Sequence, residues 1–211
     1  MRQSHSKVLY VVLAINALMF VVEGLAGLHA HSTALLADAL DMLGDALVYA
    51  FSLFVLARSA RWQAGAALAK AGFMLTFGLA VLVEAGYKMF FPIMPDVATM
   101  GWIGGLALAA NLMCFFLLYR HRGDNLNMSS TWLCSRNDLI ANVGVLAAAG
   151  ASFLFVSVWP DIIVGVIIAT LFLSSASTVL RQSLKQLRES SIQLHTTVTS
   201  PQKIRVSKIA W

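Results

Sequence analysis

The sequence predicts an all-α, polytopic membrane protein of six spanning helices with both termini cytoplasmic, and three observations carry that prediction. Of its 211 residues 59% are hydrophobic and only 12% charged, and the mean hydropathy is +0.76, outside the range of soluble domains. Six apolar stretches reach the roughly 20 residues that cross a bilayer, at about 8–28, 34–57, 71–91, 99–119, 129–157 and 161–180. Lys and Arg sit at the N-terminus (Arg2, Lys7), in the second connection (Arg58, Arg61, Lys70), in the fourth (Arg120, Arg122) and in the tail, and are missing from the first, third and fifth connections. Positive residues stay on the cytoplasmic side, so the even-numbered connections and both termini face inward.

The elements follow in order. The first apolar run, Val8 to Leu28, is too long for the core of a signal peptide and has no clear small-residue cleavage site, so it is a span. The second carries Asp38, Asp41 and Asp45. The third ends at "FFPIMPD", where Pro92 and Pro95 stop a helix, and the fourth contains the small-residue segment "GWIGGLALAA". The fifth ends at "SVWPD", where Pro160 starts the sixth. Short connections make neighbouring helices antiparallel. Residues 1–190 therefore form one transmembrane domain, and 191–211, polar and without a core-sized apolar pattern, form a short flexible cytoplasmic tail.

Composition also removes function classes. The net charge of +5 does not mark a nucleic-acid binder, because the basic residues are confined to short segments between spans. Cys114 and Cys134 lie inside apolar segments and form no disulfide framework or CxxC pair. No nucleophile–base pair or cofactor motif appears, so neither an enzyme nor a prosthetic group is expected.

The chemistry is in "ADALDMLGDALVYAFSL", where three carboxylates interrupt an apolar run. Each aspartate at mid-bilayer costs roughly 2.5–3.5 kcal/mol, so three need a compensating partner. On a helix they fall within a stripe about 60° wide, which must face the bundle interior or a water-filled cavity. The fifth span carries the match in "STWLCSRNDLIANVGVL": Cys134 and Asp138 are four apart and share a face, which Asn142 extends by a turn. A thiolate and carboxylates converging from two helices suit Zn²⁺ and similar divalent ions, and such an ion, or bound protons, compensates the aspartates.

These segments, with "VVEGLAG" in the first span and "WPDIIVGVIIA" opening the sixth, resemble the cation diffusion facilitator family over about residues 8–190. The resemblance implies a six-helix, usually homodimeric transporter in lipid, here of the bacterial cytoplasmic membrane, exchanging Zn²⁺ or a related divalent ion for protons. It places four ligands between the second and fifth helices, which by position are Asp41, Asp45, Cys134 and Asp138. Two departures follow. The family's fifth-helix pair usually begins with His or Asp where this chain has Cys134, which tilts preference toward softer ions such as Cd²⁺ alongside Zn²⁺, Co²⁺ and Ni²⁺. The family's usual cytoplasmic domain after the sixth helix does not fit in the residues that follow it here, so regulation and dimerisation through that domain are expected to be absent.

Plainer readings stand beside these. Asp41, Asp45 and Asp138 also suit a proton relay or a structural polar cluster, and Cys134 also suits packing. Asp38 is either a proton-handling or ligand-supporting group or a helix-packing acceptor, and Asn142 makes an interhelical hydrogen bond or lines the cavity. Glu23 either handles protons or pairs with a neighbour such as Asn16 or Arg136. Glu84 is explained by Lys88 one turn on, and His29 and His31 lie solvated at the outer mouth. Two rival functions remain: a proton-coupled exporter of organic cations, for which Tyr49 and Phe51 are the nearby aromatics, and a non-transporting membrane metal sensor or accessory protein.

Overall fold

The computed structural model describes residues 2–54, 60–120 and 126–199, with side chains over 7–51, 53, 62–120 and 138–188. Six helices account for the described residues: α1 (Arg2–His29), α2 (Thr33–Phe54), α3 (Ala60–Phe90), α4 (Val97–Tyr119), α5 (Leu126–Phe155) and α6 (Trp159–Thr199).

Local chemistry sets their ends. α3 stops at Phe90 ahead of Pro92, and α4 starts behind Asp96, whose carboxylate accepts from Ala98 N (3.1 Å), Thr99 N (3.4 Å) and Thr99 Oγ1 (2.6 Å). Those donors, the Thr99 hydroxyl first, hold the Asp96 carboxyl below the usual carboxylate range. α6 starts at Trp159 with Pro160 in its first turn. α1 and α5 both end in a Schellman turn: Ser32 N donates to Gly27 O (2.9 Å) and Ser157 N to Ser152 O (3.3 Å), with His31 (φ 48°) and Val156 (φ 46°) at the left-handed position.

α3 and α6 exceed their predicted spans the most. α3 begins at Ala60 instead of about 71, because "ARWQAGAALAK" holds helix formers and no proline, and the helix carries on beyond the apolar run. α6 runs past the boundary drawn at 190 to Thr199, since nothing in "SIQLHTTVT" stops a helix before the Ser200–Pro201 step of the sequence. Residues 200–211 of the predicted tail lie outside the described residues.

Five helices are long and apolar enough to cross a membrane; α2 is not among them, because its three aspartates fall in every span-length window. α2 instead occupies the centre, against α1, α3, α5 and α6. α1, α2, α5 and α4 pack as a closed ring of four, and α3 and α6, tightly paired, lie against α2 and α5. Alanines such as Ala34, Ala37, Ala148, Ala169 and Ala176 let the backbones approach. At Gly165 a Cβ would stand 2.7 Å from Thr33 C, so only glycine lets α6 cross the start of α2 there.

The exposure pattern is that of a protein solvated by lipid. Trp102 (82% exposed), Phe90 (81%) and Leu25 (65%) point outward, whereas Asn16, Glu23, Asp38, Lys88, Asn111, Asn142 and Asp161 are buried.

Candidate functional site

The outer end of the bundle is closed by a polar knot that positions α2. Ser32 caps the helix, its Oγ accepting from Leu35 N (3.1 Å). Asp161, in the first turn of α6 and fully buried, accepts from Thr33 N (2.9 Å), Ala34 N (3.0 Å) and Ser32 Oγ (2.7 Å). A carboxylate on orphan N–H groups at the positive end of a helix is well placed. Lys88 of α3, 2% exposed, neutralises it at 3.1 Å, and also bonds Thr33 Oγ1 (3.1 Å), the His31 carbonyl and Glu84 (3.2 Å). Thr33 Oγ1 donates in turn to Glu84 (2.6 Å). The expected Glu84–Lys88 pair is thus one edge of a larger network that ties α2, α3 and α6 together.

Below the knot, α2, α3, α5 and α6 enclose a cavity of about 780 Å³. Asp41 and Asp45 from α2 and Asp138 from α5 line it, with Lys70 of α3 on the same wall and mostly apolar side chains elsewhere, among them Met74, Ile168 and Phe172. Its lining continues through Val48, Ser175 and Val179, on the cytoplasmic halves of α2 and α6 in the orientation set by the Lys and Arg distribution. Asp45 lies 12 residues from the outer start of α2 and Asp138 12 residues from the cytoplasmic start of α5, about 18 Å in each case, and the packing of the antiparallel helices brings the two together. The Asp138 carboxyl is within hydrogen-bonding reach of both Asp41 and Asp45, and Tyr49, one turn further along α2, donates to Asp45 Oδ2 (2.6 Å). Three carboxylates from two helices thus meet on one cavity wall, although among the described residues no three His, Cys, Asp or Glu are gathered into a ready coordination cluster. Cys134 lies one turn to the cytoplasmic side of Asp138 on α5, and its side chain falls outside the described residues.

The aspartate stripe divides at this point. Asp38 is not on the cavity; it faces the interior of the four-helix ring, where Asn142 Nδ2 donates to its Oδ1 (3.2 Å) and to Asp138 O (3.0 Å). Glu23 of α1 comes within hydrogen-bonding reach of Asp38. Asn16, one of the neighbours considered for Glu23, bonds Val12 O (2.9 Å) and Cys114 Sγ (3.8 Å) instead, and the side chain of Arg136 lies outside the described residues. His29 and His31 are exposed at the outer end.

Sequence reasoning missed Asp161 and what Lys88, Lys70 and Tyr49 contribute here. Asp161 and Lys88 pair across 73 positions, and no local signal announces such a partner. Lys70 was read only for orientation. Tyr49 follows Asp45 at the i,i+4 spacing, a signal that was present in the sequence.

A family model described as the cation efflux transmembrane domain matches residues 9–188. The chain is 29% identical to the zinc transporter ZitB of Yersinia pestis, over 99% of this chain and 68% of that protein. It is 29% identical to the cadmium, cobalt and zinc/H(+)-K(+) antiporter of Bacillus velezensis, over 88% of this chain and 64% of that protein. It is 30% identical to ZitB of Pectobacterium atrosepticum, over 88% of this chain and 62% of that protein, so it spans about two thirds of these relatives.

Proposed function

The chain belongs to the cation efflux transmembrane family, and on that premise we propose that it carries Zn²⁺ or a similar divalent ion out of the cytoplasm in exchange for protons, binding the ion in the cavity between α2 and α5. Its apolar helices, its transmembrane family and its bacterial relatives make it an integral protein of the inner membrane.

One observation carries the reading: Asp41, Asp45 and Asp138 converge from two helices on a cavity with otherwise largely apolar walls that runs toward the cytoplasmic ends. Carboxylates at that depth are costly, the three outnumber the lining cation Lys70, and a divalent cation offsets them while a bilayer cannot. Asp41, Asp45 and Asp138 supply oxygen ligands and Cys134, on the same helical face as Asp138, supplies a thiolate, a set that suits Zn²⁺ and Cd²⁺. These groups bind metal deprotonated, so loading from the cytoplasm releases protons and reprotonation from outside ejects the ion. Closure of the outer end by the Asp161–Lys88 knot fits a state loaded from the cytoplasm.

The test is metal-dependent proton flux in sealed proteoliposomes with Zn²⁺, Cd²⁺, Co²⁺ and Ni²⁺. Wild type is expected to acidify or alkalinise the lumen only when metal is added, Asp45→Asn and Asp138→Asn to lose the flux, and Cys134→Ser to re-rank the metals. Wild-type flux in either aspartate variant overturns the site, and no flux with any metal overturns the function.

A further inference from the structure

Beside the cavity, at the edge of the same stripe of α2, the ring of α1, α2, α4 and α5 buries a polar group that the metal site does not use. Glu23 is 0% exposed and Asp38 1%. Their carboxyl groups lie within hydrogen-bonding reach, yet Glu23 Oε1, Glu23 Oε2 and Asp38 Oδ2 are all without a donor, as is Oδ1 of the fully buried Asn142. Every one of these orphan atoms is an acceptor. Asn142 has already given its amide to Asp38 Oδ1 and Asp138 O. Such groups are costly unless a donor is supplied, and a protonated carboxyl supplies an O–H.

Among the described residues no cation faces the pair, and the buried Asn111 Nδ2 of α4 in the same ring makes no hydrogen bond to it. The titratable groups facing Glu23 are Asp38 and, further off, Asp41, both acidic and both from α2. α4 buries one titratable side chain among its described residues, the Cys114 thiol, which lies against Asn16 two turns toward the cytoplasmic end of α1. α5 contributes Asn142, with Asp138 beyond it on the cavity. A proton between the two carboxyls satisfies both of them without any further ligand.

We infer that Glu23 and Asp38 share one proton across the α1–α2 contact, forming a proton-binding site separate from the metal cavity. Glu23 and Asp38 lie about 8–9 Å from the outer ends of α1 and α2, below the Asp161–Lys88 knot and shallower than Asp45 at about 18 Å, so a proton that passes the knot meets the pair before it meets Asp45. Asn142 joins the two compartments, with one amide nitrogen on Asp38 and on the backbone of the Asp138 residue. A cation arriving beside Asp41 repels the shared proton. That coupling rests on the proposed metal function; the proton site does not.

Infrared difference spectroscopy of the full chain in lipid, without metal, tests the site through the C=O band of a buried carboxylic acid. The band is expected in wild type, and in both Glu23→Gln and Asp38→Asn it disappears, because each isosteric amide supplies the N–H that replaces the shared proton. Spectra that superimpose, or a band lost in one variant and kept in the other, overturn the sharing. Zn²⁺ is then added, with binding followed by calorimetry. Shrinkage, as Zn²⁺ binds, of the band component that is absent from Glu23→Gln and Asp38→Asn supports the coupling, and no change in that component at saturation overturns it. Absence of Zn²⁺ binding overturns the metal function and leaves the metal-free result to decide the proton site.

Discussion

Tyr49 and Lys88 show how single side chains condition this bundle. Tyr49 donates to Asp45 at 2.6 Å from one helical turn away and so fixes the direction of a carboxylate on the cavity. Loss of a group that orients a metal ligand typically costs about 10- to 100-fold in affinity, and Tyr49→Phe is expected to lose Zn²⁺ affinity on that scale with its helicity intact. Calorimetric titration checks this, and wild-type affinity in the variant would remove Tyr49 from the site. Lys88 is a buried cation held by a buried carboxylate, and removing one partner of such a pair costs about 3–5 kcal/mol. Lys88→Met is therefore expected to lower stability by that order in thermal denaturation. Glu84, 30% exposed, is the weaker partner, and Glu84→Gln should cost less than about 1 kcal/mol. Equal losses in the two variants would contradict the ranking. Of these residues the sequence offers Glu84–Lys88 through i,i+4 spacing, whereas Asp161 becomes legible only when α6 is brought to the start of α2.

At the scale of the helices, apolar length and proline placement are readable directly, and the ends of α3 and α5 fall close to their predicted positions. What local reading undershoots is extension beyond the apolar run, because α3 and α6 continue through residues that form helix well but are not needed to span lipid. The Schellman turn after α5 places a β-branched residue, Val156, at φ 46°, where left-handed backbone costs roughly 1–2 kcal/mol for any residue but glycine. Val156 is 78% exposed, so its side chain contributes little packing. Val156→Gly should then raise the thermal midpoint, by a stability gain on the order of 1 kcal/mol after the entropy of glycine is deducted. A lowered midpoint would show that the valine side chain matters more than its backbone strain. Gly165 is the opposite case, a glycine required by a helix crossing that no local pattern marks.

At the scale of the whole molecule, the ring of α1, α2, α5 and α4 and the α3–α6 pair split one polar stripe of α2 between two compartments, the cavity with Asp41 and Asp45 and the Glu23–Asp38 contact inside the ring. The cavity's direction makes a topological prediction. In a protein with Cys114→Ala and Cys134→Ser, Ser175→Cys on the cavity lining should react with a membrane-impermeant maleimide added to the cytoplasmic face and stay unlabelled from the outer face. Labelling from the outer face alone would reverse either the orientation or the state of the bundle. Residue chemistry and spacing by themselves point to a membrane chain of six helices with buried aspartates on α2 and a candidate partner carboxylate on α5, because lipid penalises charge at every position independently of the fold. The tertiary structure alone decides that one 60° stripe serves two compartments and that Asp161 and Lys88 close the outer end. Which neighbour a buried polar group meets is a property of helix packing, set by side chains distant in sequence.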